Sequence, residues 1–365
     1  MVASSNDPIL AQLTADIVAG LPTWFGEGAM LASSPPAWRR LRQSFFVRYV
    51  AQKKDGVTVP LLVKIPRKSE IATLAQAVAA THLATPTQQE YDSLVAVAQV
   101  FNTGQDARFF AVQPFAYLAQ WNAIVMEELP ARSLTRFLMR ARMALGLPRD
   151  WEFLEQALCR AGQWLRVFHE RLGDARVQPL RETSLAADLV FELDRLAELS
   201  GRQNAFAPMR AACLRAAERL QAVAVPTATL HGDFNCNNTL VMADGRVGVI
   251  DTKRRRQGAV YVDLALLAMD PPLRKIQVVT QGAFFRGAWL KRCQTAILTG
   301  YFGAQPYDAR VFNLCCALMI LRKWIADEEA LGAAQGARRL MACGVTPLVR
   351  RYLRRMLERV LQRTE

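Results

Sequence analysis

The sequence lacks most of what would mark a metal scaffold, a secreted domain or a membrane protein. Its seven cysteines are scattered, with no Cys-x-x-Cys pair, and 365 residues hold only three histidines, His82, His169 and His231. This pattern excludes a zinc framework and predicts reduced thiols that pack as small apolar groups. No apolar run reaches the length that crosses a bilayer. Residues 1–7 have no basic stretch ahead of an apolar one, so no secretory signal is expected and the chain reads as cytoplasmic. Internal repeats and low-complexity linkers are missing too. Acid is in short supply: 32 Asp and Glu face 46 Lys and Arg, a net charge of +14. Such a balance favours nucleic acid, a membrane surface or an anionic substrate, unless the arginines are simply solvated. With no RNP-type, zinc-finger or helix-turn-helix pattern beside it, a nucleic-acid partner is not expected.

What is present is one dense stretch, Leu230-His231-Gly232-Asp233-Phe234-Asn235-Cys236-Asn237-Asn238, followed by an apolar strand that ends at Asp251. Asp233, Asn238 and Asp251 are oxygen-bearing side chains at the ends of short elements. Phosphoryl transfer needs such a set: a carboxylate to orient an attacking hydroxyl, and an amide and a second carboxylate to hold Mg²⁺ on nucleotide phosphates. Asp233 is therefore the candidate base, and Asn238 and Asp251 the candidate metal ligands. His231 is expected to fix the loop by hydrogen bonding, with no part in proton transfer.

This stretch resembles the catalytic loop of the aminoglycoside phosphotransferase and choline kinase family. The resemblance implies an α+β, bilobal protein-kinase-like fold, with a small antiparallel-sheet N-lobe and a mainly helical C-lobe. It implies residues 1–129 as the nucleotide-binding lobe, 1–40 being a helical and then irregular extension, and 130–365 as the lobe of the catalytic loop and acceptor site. ATP and Mg²⁺ are the implied cofactors. Asp263, opening an apolar helix, resembles the family's later aspartate that braces the loop.

The rest of the chain offers partners for these residues. Strands are expected at 43–50 and 57–65, joined by the Asp55-Gly56 turn. Lys64, inside the second strand, is placed like the lysine that holds the α- and β-phosphates. A helix is expected from Ser69 to Leu83, and another capped by Thr85 with Pro86 and Gln88 behind it. Glu90 on that helix is placed to pair with Lys64, and Glu70 is the rival. Strands are expected at 108–115 and 123–129. The resemblance makes the second of these, Met126, Glu127 and Leu129 included, the hinge whose backbone binds adenine. Ser133 is expected to cap the next helix, and His169 to be a core histidine with one hydrogen bond. Helices are then expected near 151–172, within 184–222, and near 283–299, 308–325 and 346–363.

Some features depart from the family pattern. Thr252 follows Asp251 where Trp or Phe is common, and Gly258-Ala259-Val260 replaces Gly-Asp-Pro. No glycine-rich loop precedes Lys64; residues 30–44 offer Ser33 and Ser34 instead. Lys253, Arg254, Arg255 and Arg256 begin two residues after Asp251, where the acceptor is expected. Four cations there would repel an aminoglycoside and attract an anionic acceptor. The expected activity is thus an ATP-dependent phosphotransferase acting on a hydroxyl of a small, neutral or anionic sugar or polyol. The alternatives are a non-catalytic kinase-like binding module and an envelope-saccharide kinase at the membrane surface. The basic helix at 346–363 offers a peripheral membrane contact.

Overall fold

In the computed structural model, the described residues are 8–32, 36–41, 43–103, 106–143, 148–201, 203–252, 256–333 and 336–365. They form an α+β chain, as expected. It divides into two compact units, Met1–Ala131 with Ile250–Thr252, and Arg132–Val249 with Lys253–Glu365.

The first unit runs α1 (Pro8–Phe25), β1 (Met30–Leu31), β2 (Ala37–Arg40), β3 (Ser44–Gln52), β4 (Thr58–Pro66), α2 (Leu74–Val78), α3 (Ala84–Asn102), β5 (Pro114–Leu118) and β6 (Ala123–Glu127). Its antiparallel sheet has the order β1-β3-β4-β6-β5, with β2 also paired to β3. Successive side chains of a strand point to opposite faces, and the sequence of β4 uses both. Leu61, Val63 and Ile65 join Leu10, Leu13, Ile17 and Leu21 of α1 in one core. Leu62 packs in a second cluster with Leu94 of α3 and with Ile124 and Met126 of β6. Lys64 shares the parity of Leu62. Glu90 lies one helical turn before Leu94, so it meets the face that Lys64 leaves by.

Several expectations shift here. Met30–Leu31 and Ala37–Arg40, expected in an irregular stretch, are strands, because β1 and β2 both pair with β3. The helix expected from Ser69 to Leu83 shrinks to α2 and a single 3-10 turn at Thr81–Leu83. The buried guanidinium of Arg67 explains the loss. It donates to the carbonyls of Leu41 (2.8 Å), Ser69 (3.3 Å) and Ile71 (2.8 Å), which holds the chain after β4 in a loop. The capping box then falls at Thr73 and Gln76. Thr85 is no N-cap, since α3 continues from the 3-10 turn and places Pro86 in its first turn, where a missing N–H costs nothing. Residues 108–113 lie outside β5, because side chains take their donors: Asp106 accepts from Arg108 N–H (3.0 Å) and Asn102 from Ala111 N–H (3.0 Å).

The second unit contains β7 (Arg132–Ser133), α4 (Leu134–Met143), α5 (Pro148–Leu172), β8 (Arg176–Pro179), α6 (Leu185–Ser200), α7 (Gln203–Leu220), β9 (Ala224–Thr229), β10 (Thr239–Val241), β11 (Val247–Val249) and β12 (Gln257–Ala259). It continues with α8 (Tyr261–Leu273), α9 (Lys275–Val279), α10 (Gly287–Phe302), α11 (Ala309–Gly332) and α12 (Gly336–Gln362). Ser133, expected as a cap, is a strand residue paired with Leu240. On α12 the apolar residues that a membrane contact would use are spent on the core: Leu353 and Leu357 are fully buried. Arg350 is drawn inward too, gripping the buried Glu328 of α11 at 2.7 and 2.6 Å. Among the described residues, no helix is long and apolar enough to cross a membrane.

Two glycines set the crossing of α5 and α10. A Cβ on Gly162 would lie 2.2 Å from the carbonyl oxygen of Ile297, and one on Gly300 would lie 2.0 Å from that of Cys159. The two backbones therefore touch. His169 lies two turns beyond Gly162 and Tyr301 directly after Gly300, so the close approach lets those side chains meet. Gly300→Ala must push the helices apart and is expected to destabilise the second unit by about 1–3 kcal/mol, read as a lower urea midpoint. An unchanged midpoint would show that the crossing is not tight.

Candidate active site

In the first unit the structure brings Lys64, Glu90 and Asp251 together. Lys64 Nζ donates to Glu90 Oε1 and to Asp251 Oδ1, both at 2.6 Å. Glu70, the rival partner, is exposed and hydrogen-bonds Ser69 instead. Burial alone would lower the pKa of Lys64, but the charges of Asp251 and Glu90 more than offset it, and the ammonium is held. Glu90 is raised, first by burial and then by the second carboxylate, against the pull of Lys64. In this group a single cation serves two carboxylates. The surplus negative charge suits a divalent cation. Asp251 has a φ of 60°, a left-handed conformation that a non-glycine residue adopts at some cost. Its neighbour Ile250 packs against the cluster of Leu94, Ile124 and Met126.

The residues expected at the hinge lie beside that cluster. Met126 is buried and pairs with Leu62 across β4 and β6. Glu127 N–H donates to the Gln113 carbonyl and Glu128 N–H to that of Pro60, each at 2.9 Å. Burial raises the Glu127 carboxyl, with Lys53 opposing. Leu129 packs half-buried against the cluster. Ser33 and Ser34, offered by the sequence as cover for the phosphates, lie outside the described residues. At the Lys64 end of the sheet, Leu41 N–H bonds the Ser44 carbonyl at 2.8 Å, and Arg67 holds both Leu41 and Gln43 through their carbonyls at 2.8 Å.

The second unit brings together His231, Asp233, Asn238 and Asp263. Asp263, fully buried at the start of α8, accepts from His231 N–H (2.6 Å) and Gly232 N–H (3.0 Å). Its third partner is His169 Nε2 at 3.1 Å, while Nδ1 meets Tyr301 Oη at 2.9 Å. A carboxylate only accepts, so Nε2 carries the proton and Nδ1 takes the tyrosine's. His169 thus makes two hydrogen bonds where one was expected. Burial would raise the carboxyl of Asp263, but the His169 hydrogen bond, the two histidines and the Gly232 N–H bring it below the usual range.

The His231 ring is buried among Trp164, Phe168 and Phe234, and its Nδ1 accepts the Asp233 N–H at 3.3 Å. The Asp233 carboxylate accepts from Asn235 Nδ2 at 2.9 Å. Asn238 Nδ2 donates to the Asp233 carbonyl at 3.0 Å, which turns its Oδ1 away from that carbonyl. Sequence reasoning missed Asn235. Its side chain joins the Asp233 carboxylate to the N–H groups of Asn237 (2.9 Å) and Asn238 (3.2 Å), a local turn that Asn readily forms. Asx chemistry two residues after Asp233 was the available signal.

Of the basic run, Lys253, Arg254 and Arg255 lie outside the described residues. Arg256 is exposed, but its guanidinium is held by Asp188 of α6 at 2.8 Å, beside Arg322 and Glu192. Among the described residues, no group of three or more His, Cys, Asp or Glu side chains could hold a metal. Asn238 and Asp251 each offer a hard oxygen donor of the kind that Mg²⁺ takes.

The profile of the phosphotransferase enzyme family (APH) matches residues 33–295. No curated protein sequence gives a significant match. Among solved structures, a glucosamine kinase in complex with glucosamine, ADP and inorganic phosphate is 15% identical, with 87% of this chain and 95% of that one covered and a TM-score of 0.48. A choline kinase from Streptococcus pneumoniae is 13% identical, with 95% and 99% covered and a TM-score of 0.45. A choline/ethanolamine kinase family protein from Mesorhizobium loti is 16% identical, with 96% and 99% covered and a TM-score of 0.46.

Replacing Asp263 by Asn leaves the His231 and Gly232 N–H groups and His169 with a poorer acceptor, at an expected cost of about 2–3 kcal/mol near neutral pH. Because the folded pKa is depressed, the wild-type advantage exists above the unfolded value of about 3.9 and is lost as pH falls through the lower folded value. Urea midpoints of both proteins between pH 7 and pH 3 should converge only at the acid end. A gap that stays constant through pH 3 would mean that Asp263 is not an anion in the folded protein.

Proposed function

The chain belongs to the phosphotransferase enzyme family, and we propose that within it the protein is an ATP- and Mg²⁺-dependent kinase for a hydroxyl of a small molecule. The observation that carries this reading is the Lys64 ammonium held at 2.6 Å by both Glu90 and Asp251. A lysine so fixed addresses the α- and β-phosphates of a nucleotide, with the backbone at Glu127 and Leu129 taking the adenine. Asn238 and Asp251 would hold Mg²⁺, which supplies charge neutralisation on the phosphates. Asp233 orients the acceptor hydroxyl and receives its proton as the oxygen bonds the γ-phosphorus, whose bond to the β–γ bridging oxygen breaks so that ADP leaves. Its carboxylate is kept in one rotamer by Asn235 and its backbone by His231.

For the acceptor, the reading is a neutral or anionic sugar or polyol. Its support is the order of charges in the sequence, where Lys253, Arg254, Arg255 and Arg256 follow Asp251 so closely. Asp188 engages Arg256, so the acceptor role falls to Lys253, Arg254 and Arg255.

The test is transfer from Mg-ATP to a panel of sugars, sugar phosphates and amino alcohols. Asp233→Asn should cut kcat by about 10²–10⁴ while Mg-ATP still raises the melting temperature. If Mg-ATP neither binds nor turns over with wild type, the reading fails. Arg254→Glu with Arg255→Glu should raise KM for an anionic acceptor about tenfold or more and leave KM for ATP in place. Equal loss of both would remove the argument for an anionic acceptor.

A further inference from the structure

Past Asp233 the loop is held by a second set of side chains that the mechanism above does not use. Cys236 N–H donates to Asp270 Oδ2 at 3.1 Å. Asp270 also accepts from Arg274 Nη2 at 2.7 Å, and the same nitrogen donates to Thr135 Oγ1 at 2.6 Å. The Thr135 hydroxyl passes its proton on to Asn237 Oδ1 at 2.7 Å, and Thr135 N–H donates to the Cys236 carbonyl at 3.0 Å. These bonds close a ring from Asp270 through Cys236, Thr135 and Arg274 back to Asp270. The hydroxyl of Thr135 both gives and receives, and Arg274 Nη2 serves Asp270 and Thr135 together, while Arg274 Nε is buried without a partner. Asp270 and Arg274 are largely buried, at 18% and 17% side-chain exposure, so the pair is only weakly screened by solvent.

The placement follows from helix geometry. Asp263 and Asp270 lie two turns apart on α8, hence on one face and about 10 Å apart along it. The first takes the N–H groups of His231 and Gly232, ahead of Asp233. The second takes that of Cys236, ahead of Asn238. One helix therefore fixes the hydroxyl-orienting end and the metal-binding end of the loop through separate carboxylates. Burial, and then the charge of Asp270, keeps the Cys236 thiol protonated, so it packs and does not react.

We propose that Asp270, Arg274 and Thr135 are positioning residues that set the loop's grip on Mg²⁺ by fixing Cys236 and Asn237 directly before Asn238. The inference rests on the phosphotransferase reading for its metal, and on this unit's own hydrogen bonds for the clamp. Thr135→Val removes the hydroxyl that joins Arg274 to Asn237 and keeps the shape. It should raise the half-saturating Mg²⁺ concentration about tenfold, the size of effect that partners of metal ligands have, while KM for the acceptor moves less than about twofold. Thr135→Ser should restore the wild-type value, and Asp270→Ala should reproduce or exceed the defect. Hydrogen exchange gives a readout free of activity: in Thr135→Val, amides of 235–239 should lose protection while those of His231 and Gly232, held by Asp263, keep theirs. Unchanged Mg²⁺ dependence with unchanged exchange overturns the proposal, as does a uniform loss over 230–239. If wild type never turns over Mg-ATP, the functional reading fails, and the exchange pattern still decides the clamp.

Discussion

The His231–Asn238 loop belongs to no helix or sheet, yet much of it is buried, so its backbone donors must be met by side chains. That constraint explains much of the second unit. Carboxylates take three of these N–H groups, the Asn235 amide takes two more, and the ring of His231 takes another. A buried charge is tolerable only when such bonds surround it. Asp263 meets the condition with two N–H groups and a histidine that is itself held by Tyr301. The Gly162 and Gly300 contact sits behind this arrangement, because α5 and α10 must touch for His169 to stand between Tyr301 and Asp263.

The first unit solves a different problem. It places an ammonium inside a sheet without stranding it. The alternation of β4 aims Lys64 away from the α1 core, and the face it enters is lined by the helix that carries Glu90. With Asp251 as a second acceptor the group of three keeps a surplus negative charge, in a chain whose overall balance is +14. Local and global signs are opposed.

Much of this was legible. The lysine inside an apolar strand and the glutamate on a later helix pointed to Lys64 and Glu90, and the Asp55-Gly56 turn gave the hairpin. The spacing from His231 to Asp251, with the resemblance behind it, pointed to Asp233, Asn238 and Asp263. What the sequence hid were partners chosen by tertiary packing. Arg67 broke an expected helix by binding carbonyls that no propensity scale counts. The link of His169 to Asp263 depends on a glycine crossing, and one His on an apolar helix looks the same with or without it. The clamp was half visible: two aspartates two turns apart on the otherwise apolar α8 are a pattern, but Thr135 is anonymous without its contacts.

The division of the chain bears on how the protein could be taken apart. Only Ile250–Thr252 of the later sequence belongs with the first unit, yet that short visit contributes Asp251. A polypeptide ending after Ala131 would keep the sheet, Lys64 and Glu90 but return the lysine to a single partner. No single cut in the gene yields both pieces whole. Recombination that swapped one lobe for a foreign one would have to carry three residues from the middle of the other. Heredity therefore binds the two parts more tightly than their size suggests.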